Sequence, residues 1–575
     1  MNKISCRFRG RTLLGKMRPL MGLLLAVAPP LAWAAPPATV AQPSPDAGTI
    51  LQQVQPVTPP PTPPTGTGLT IEQESGSSLP QTAPFLVRSI QIAGNTRFDT
   101  PTLHALLADA EGQTLTLRQL HERVAKITRF YQAHGYPLAR AIIPQQLIEA
   151  GHVRIEIIEA RYGKVVLENS SRARDPLLQA TLSPLDTGQV ISQGALDHAL
   201  LLLSDLPGVA VNATLKPGEA VGTSDLVVDT TPLPIVSGSI DADNFGNRFT
   251  GRARLGGTVN LIDPFHQGDT LSASGLSSGS DMDYGRLAYD AALTGEGTRV
   301  GVSYSALHYK LGDPLSALDA HGTAEVASFW AKQPIVRSTD VNLYGQIQYD
   351  HLKLDDHIDA SEIITDRHLN NFTASVIGDS HDMWLSGGIT SWTASLTSGQ
   401  LGFDNDAAEL ADAASVRTEG HFLKWNAALY RLQNIGPANI LYLAVSGQWA
   451  NSNLDSSQKV LAGGPYTVRA YDLSAISGDT GYQETVEFRH LLAAAWQGRW
   501  QTLAFFDSAQ VTINKNPTLP GVNKTTLSGA GVGLNWIGPQ AWSAKIYVAT
   551  PIGSAPALVQ DSSSVRLWVE FSKGF

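Results

Sequence analysis

The sequence predicts a mainly β protein, a long membrane-spanning β-barrel preceded by two small α+β repeats. Three observations predict it. From Ile235 to Phe575, about 340 residues, apolar and polar residues alternate with period two, as strands with one face in lipid and one in a lumen require. From Phe85 to Pro234 the spacings are helical in places, and one order of strands and helices occurs twice. No segment beyond the N-terminal region reaches about 18 uninterrupted apolar residues, so a helical membrane protein is excluded.

Taken in order, residues 1–34 read as an export signal. Lys3, Arg7, Arg9, Arg11, Lys16 and Arg18 precede an apolar run from Leu20 to Ala28, and Ala32-Trp33-Ala34 supplies small residues for cleavage. The one cysteine, Cys6, lies before that run, so cleavage would leave no disulfide and no lipid-attachment site. It would also leave 35 basic against 51 acidic residues, a balance of −16 that argues against a nucleic-acid partner. Residues 35–84 hold 12 of the 34 prolines and no Lys or Arg, the composition of a linker. Within it, Ser44-Pro45-Asp46 is able to cap a short helix through Ile50, Leu51 and Val54, although a transient turn fits the same residues.

The first repeat, 85–160, reads as a strand from Leu86 to Ile92, helices at Thr102 to Asp109 and Thr116 to Ala133, and strands at Pro137 to Ile143 and His152 to Glu159. Leu117, Leu120, Val124, Ile127 and Tyr131 make the longer helix amphipathic. The second, 161–234, repeats the order with Val165 to Leu167, helices Pro176 to Thr181 and Gln193 to Ser204, and strands Val209 to Lys216 and Asp225 to Thr230. His104, His121, His134 and His198 fall on or at the ends of these helices and read as surface or capping residues.

In the C-terminal region Leu255, Val259 and Leu261 oppose Arg254, Thr258 and Asn260, and Leu567, Val569 and Phe571 oppose Arg566, Trp568 and Glu570. A soluble sandwich also hides one face of each strand. The length of the region without a helix, the export signal and the charges on the polar face favour a barrel with an apolar exterior and a wet interior. Lys573 is the exception on the outer face of this last stretch, tolerable where its stem snorkels at an interface. One loop, Leu461 to Tyr471, is rich in Gly and Pro (Gly463, Gly464, Pro465) and carries a single charge, Arg469. On the segment Thr502 to Ala509 a carboxylate, Asp507, occupies a position that a strand could not expose to lipid, which makes it the natural partner for Arg469 inside a lumen.

These residues resemble a known family, the outer-membrane transporters of two-partner secretion, or haemolysin secretion/activation proteins. The resemblance covers a signal sequence, a Pro-rich linker (35–84) with a possible plug helix, two POTRA-like modules (85–160 and 161–234) and a barrel (235–575). It implies 16 strands, periplasmic POTRA modules that receive an unfolded secreted exoprotein, and an N-terminal helix that plugs the pore. It also implies a sixth extracellular loop, folded into the lumen, whose Val-Arg-Gly-Tyr motif pairs with a Phe-x-Asp-x-Gly strand motif. The matching residues here are Val468, Arg469 and Tyr471, and Phe505 and Asp507. Ala470 and Ala509 stand where the family has glycine. If a glycine served a positive φ, alanine costs on the order of 1 kcal/mol; if it served close packing, one methyl is absorbed. Phe571 and Phe575 fit a C-terminal barrel signal. The resemblance further implies outer-membrane lipid and the barrel assembly machinery as partners, a monomer, and no cofactor. Alternatives are an assembly factor of the same superfamily and a passive porin or receptor.

Enzyme-like matches lack their context. Gly275-Leu276-Ser277-Ser278-Gly279 has no following helix to aim a nucleophile, Ser456-Ser457-Gln458-Lys459 has no companion motif, and no phosphate-binding Gly-x-x-x-x-Gly-Lys-Ser/Thr loop is present. His351, Asp355, Asp356 and His357 have spacings that suit a metal but read as polar residues between strands. No catalytic, cofactor or metal-binding residue is therefore expected.

Overall fold

The period-two alternation becomes sixteen antiparallel strands, from Val236–Asp243 to Arg566–Gly574, each paired with the next and closed by pairing of the last with the first. This computed structural model describes residues 44–55, 66, 68–72, 82–492, 497–554, 556, 558, 559 and 563–575. The proposed export signal lies outside them. Ile240, Val259, Val302, Ile347, Phe372, Val486, Leu567 and Phe571 stand exposed on the outer wall, as lipid-facing positions should. Phe575 is also exposed, and its backbone exchanges hydrogen bonds of 3.0 Å with Gly238 of the first strand. Lys573 reaches back to the carbonyl of Gln540 and lies 5.7 Å from the Trp542 ring, an interfacial position. Strands Ala320–Arg337, Val341–Ile358 and Ile363–Asp382 run 18 to 20 residues. About 9–11 residues suffice to span the hydrocarbon, so this wall projects into water.

Two expectations for this region fail. The connection after Gly388–Phe403 contains a helix, Asp406–Ala414, started by Asn405, whose side chain accepts from the Ala408 N–H at 2.8 Å. A short capped helix between two strands leaves no trace in a period-two pattern. Nor is the interior wet throughout. Leu307, Leu352, Leu354, Leu369 and Leu401 point inward and are buried, because a helix packs on them.

The first repeat holds Ser89–Ala93, His152–Ile158 and Arg140–Ile142 in one sheet, under helices Thr100–Ala105 and Leu117–Ala133. Thr116 and Gln119 cap the longer helix reciprocally, and Leu120, Val124, Ile127 and Tyr131 bury its inner face. The strand expected from Leu86 to Ile92 is broken, since Phe85–Leu86 pairs instead with Thr114–Leu115. In the second repeat Arg161–Asn169, Val209–Pro217 and Thr223–Pro232 form the sheet under Asp175–Leu182 and Gln193–Ser204. A fourth strand, Leu69–Ile71, comes from the segment read as linker. It adds in parallel to the edge strand Val209–Pro217, with the Glu72 N–H donating to Leu215 O at 3.0 Å and the Ala213 N–H to Gly68 O at 3.2 Å. Leu69 and Ile71 pack on the core of this repeat, which is why so short a strand holds. Arg337, at a barrel turn, grips Asp205 of the second repeat through two bonds of 2.7 and 2.8 Å. His198 lies 3.3 Å from the Arg337 carbonyl, a docking residue rather than a surface one, whereas His134 caps its own helix by donating to Phe130 O.

Glu159, at the end of the first repeat, is buried. Burial works against its charge, yet donation from the Thr96 side chain and N–H, the Arg97 N–H and the Tyr131 hydroxyl outweighs it and holds the carboxyl below its usual range. A carboxylate with a depressed folded pKa stabilises fully above its unfolded value, about 4.3, and the contribution is lost as pH falls through the folded value. Glu159→Gln is expected to cost about 1–3 kcal/mol at neutral pH and to flatten the acid loss of the first repeat. Hydrogen exchange of Thr96 and Arg97 in the full chain at pH 7 and pH 4 checks this.

Candidate functional site

The connection between Asn439–Ala450 and Thr480–Leu491 turns back into the barrel, where Val460–Ala462 and Ile476–Gly478 pair to form its stem. At its tip Gly463 and Gly464 adopt φ of 103° and 111°, a region that penalises any side chain. A Cβ on Gly463 would also lie 2.3 Å from the Asp472 carbonyl. Pro465 follows, and Tyr466 packs edge-on against Phe245, which in turn meets Trp568. Val468, Ala470 and Tyr471 are buried.

These residues drive Arg469 into the wall. Its Nε and Nη2 donate to Asp507 Oδ2 and Oδ1, both at 2.8 Å, a bidentate pair, while its backbone N–H reaches Oδ2 at 3.1 Å. Asp507 is 1% exposed, so the pair is desolvated. The guanidinium lies 3.3 Å from the centroid of the Phe505 ring, which explains the aromatic two residues before the aspartate. A second carboxylate, unforeseen from the sequence, completes the site: Arg469 Nη1 donates to Glu487 Oε2 at 2.6 Å, and Glu487 also accepts from Arg489 at 2.7 Å. Glu487 lies on the polar face of its strand, which was the only available signal. Trp568 Nε1 donates to the Arg469 carbonyl at 2.7 Å, and Asp472 binds both Arg252 at 2.6 Å and Arg566 at 2.7 Å. The loop thus straddles the seam between the first and last strands, which pair over only five residues against 18 between Val341–Ile358 and Ile363–Asp382.

The two alanines resolve in favour of packing. Neither Ala470 nor Ala509 has a positive φ. The methyl of Ala470 sits over Gly529 on the facing strand, where an added Cβ would come within 2.3 Å of it. Gly529→Ala is expected to dislodge the loop at about 1–3 kcal/mol of overpacking and to reduce secretion several-fold. Adding Ala470→Gly should restore it; secretion of the partner at matched membrane levels reads both.

A helix, Ala47–Val54, occupies the lumen from the other side. Asp46 caps it, accepting from the Thr49 N–H at 3.0 Å, and Ala47, Ile50, Leu51 and Val54 bury against the inward leucines. Arg367, 3% exposed, binds Asp46 at 2.8 Å, Asp356 at 2.6 Å and Asp455 at 2.7 Å. Ser456 Oγ donates to Asp46 at 2.6 Å, and the Ala47 N–H donates to Asp356 at 2.8 Å. Below the helix lies a polar cavity of 870 Å³, lined among others by Gln52, Gln55, Arg286, Gln348, Asp350 and Lys424.

The enzyme-like sets are dispersed. Ser456 faces the helix cap while Lys459 pairs with Asp479 at 2.8 Å, and Ser277 bonds Asp283. His351 to His357 lie within a strand, not between strands as expected, and alternation sends Asp356 inward and the other three outward, so the four cannot share one ion.

A closed barrel with a helix and an arginine-pinned loop in its lumen, and two α+β modules at one mouth, defines an outer-membrane polypeptide transporter of the POTRA-plus-barrel class. Residues 222–536 match the family of haemolysin secretion/activation proteins ShlB/FhaC/HecB, and residues 85–160 match the ShlB-type POTRA domain. The chain is 26% identical over 504 residues to the heme/hemopexin transporter protein HuxB of Haemophilus influenzae (strain 86-028NP), covering 86% of this chain and 88% of that one. It is 23% identical over 483 residues to the outer membrane transporter CdiB of Escherichia coli, covering 81% and 79%. The solved structure of CdiB from Escherichia coli superposes with a TM-score of 0.68 at 21% identity, over 89% of this chain and 94% of that one. The chain belongs to the haemolysin secretion/activation protein ShlB/FhaC/HecB family. It is an outer-membrane translocator for a secreted exoprotein, in a family of transporters rather than enzymes.

Proposed function

We propose that the two periplasmic modules capture the unfolded exoprotein by strand addition and hand it to a lumen that the helix and loop keep closed at rest. The observation that carries this reading is the strand Leu69–Ile71, a piece of the chain's own backbone seated on the edge strand Val209–Pro217. An unfolded polypeptide arrives with its backbone donors and acceptors unmet, and an edge strand supplies them. In this reading residues 1–34 are the export signal, 35–84 the plug and linker, 85–160 and 161–234 the two modules, and 235–575 the barrel. Gly463, Gly464, Pro465, Val468, Arg469, Ala470 and Tyr471 dock the loop onto Phe505, Asp507 and Ala509. Phe571 and Phe575 serve as the signal for the barrel assembly machinery, and the chain works as a monomer without cofactor or catalytic residue. Folding of the exoprotein outside the cell supplies the energy.

Deleting residues 85–234 is expected to abolish export while the barrel still inserts, as judged by heat-modifiable electrophoretic mobility. Normal export from that variant would sink the receptor role.

A further inference from the structure

His321 and His357 face each other on adjacent strands, in register, with their rings stacked at 17° and 5.3 Å between centroids. Asp359 follows in the turn, and one donor atom from each of the three residues lies within 4.8 Å of the others. All three stand on the projecting part of the wall, and Glu325, Lys353 and Asp355 lie on the same outer face, which is therefore in water rather than lipid. We propose that His321, His357 and Asp359 form a binding site for a divalent first-row transition ion at the extracellular rim.

The chemistry of the donors supports this. The Asp319 carbonyl lies 3.3 Å from His321 Nδ1, and a carbonyl only accepts, so Nδ1 carries the proton and Nε2 keeps its lone pair. A carbonyl that accepts from the other ring nitrogen and so sets the tautomer is a regular companion of metal-ligating histidines. His357 and the Asp359 carboxylate have no hydrogen-bond partner among the described residues, so binding would break no existing bond. Two imidazoles and one carboxylate suit Zn²⁺, Cu²⁺ or Ni²⁺, with solvent in the open positions, rather than Ca²⁺ or Mg²⁺, which prefer oxygen donors. An ion about 2.0–2.1 Å from each donor needs them about 3.3 Å apart, which rotation of the His357 ring and of the exposed Asp359 side chain supplies while His321 keeps its bond to the Asp319 carbonyl. The site also adjoins the plug. Asp356, next to His357, holds the Ala47 N–H and Arg367 from the other face of the strand, so an ion would tie down the strand end against which the helix is capped.

The test is Zn²⁺ binding to the untagged full chain in detergent, measured by competition with a chromophoric chelator, with Ca²⁺ as control. One Zn²⁺ per chain is expected at micromolar concentration, unaffected by Ca²⁺. Affinity should fall at least about tenfold in His321→Ala and in His357→Ala, and less in Asp359→Asn. His321→Gln and His357→Gln, which keep side-chain bulk, should lose affinity equally while retaining heat-modifiable mobility. No binding at about 100 μM Zn²⁺, or the same binding in a His321→Ala/His357→Ala double variant as in the unmodified chain, would overturn the proposal.

Discussion

Arg469→Ala is expected to reduce secretion of the exoprotein to background while the barrel inserts and resists heat normally. The substitution removes four side-chain contacts at once. The bidentate pair with Asp507, the bond to Glu487 and the stack on Phe505 all end; buried Asp507 loses its cation, and Glu487 is left with Arg489. Removing one partner of a buried ion pair costs about 3–5 kcal/mol, enough to release the tip of the loop from the wall. Asp507→Ala is also expected to cripple secretion, but less completely, because Arg469 keeps Glu487 at 2.6 Å and its aromatic platform. The double variant should be little worse than Arg469→Ala alone, since both changes remove the same contact. With Arg469 and Asp507 alone in view, a charge swap would partly restore the pair. With Glu487 in place, Arg469→Asp combined with Asp507→Arg sets a new carboxylate against an old one, and no recovery is expected. Secretion at matched outer-membrane levels separates these outcomes. Wild-type export from Arg469→Ala would show that the loop is not held by its charge.

What the sequence made legible, and what it hid, follows from how far each signal reaches along the chain. Alternation is local, so the barrel strands and the side each residue faces could be read from neighbours. The Arg469–Asp507 pair could be read because one charge on an apolar loop and one inward carboxylate left few combinations. Glu487 stood on the same polar face, but alternation gives a side and not a height, and only register with the neighbouring strand that carries Asp507 brings it level with Arg469. Gly529 was silent for a related reason, as its role depends on a methyl 59 positions away in sequence. The inward Leu352 and Leu354 were hidden because the wall they cover is apolar only where Ile50 and Leu51 meet it. His321 and His357 lie 36 residues apart, and only strand register makes them a pair. The strand Leu69–Ile71 was lost in a Pro-rich segment whose average composition is that of a linker, although three residues with two apolar side chains suffice once an edge strand is waiting.

Arg367→Ala is expected to open the pore, with single-channel conductance in planar bilayers rising to that of a chain lacking residues 44–55, and with secretion retained. Among the described residues Arg367 is the one cation shared by Asp46, Asp356 and Asp455, and these three acids converge on it within 2.6 to 2.8 Å. Without it they face one another in a buried site, and the cheapest relief is for Asp46 to leave, since it alone belongs neither to a barrel strand nor to a connection between barrel strands. Opposing departure are Ile50 and Leu51, whose full burial is worth about 1.5–3 kcal/mol each. That is of the same order as the cost of an uncompensated buried charge, so the balance turns on the arginine. Once out, an eight-residue helix is too short to persist in water, and its unfolding would slow return. Asp46→Asn should act more weakly than Arg367→Ala, because asparagine still caps the helix and removes one of the three negative charges rather than the cation they share. Conductance unchanged in both Arg367→Ala and the 44–55 deletion would mean that the helix does not obstruct the pore, and that its place in the lumen serves another step.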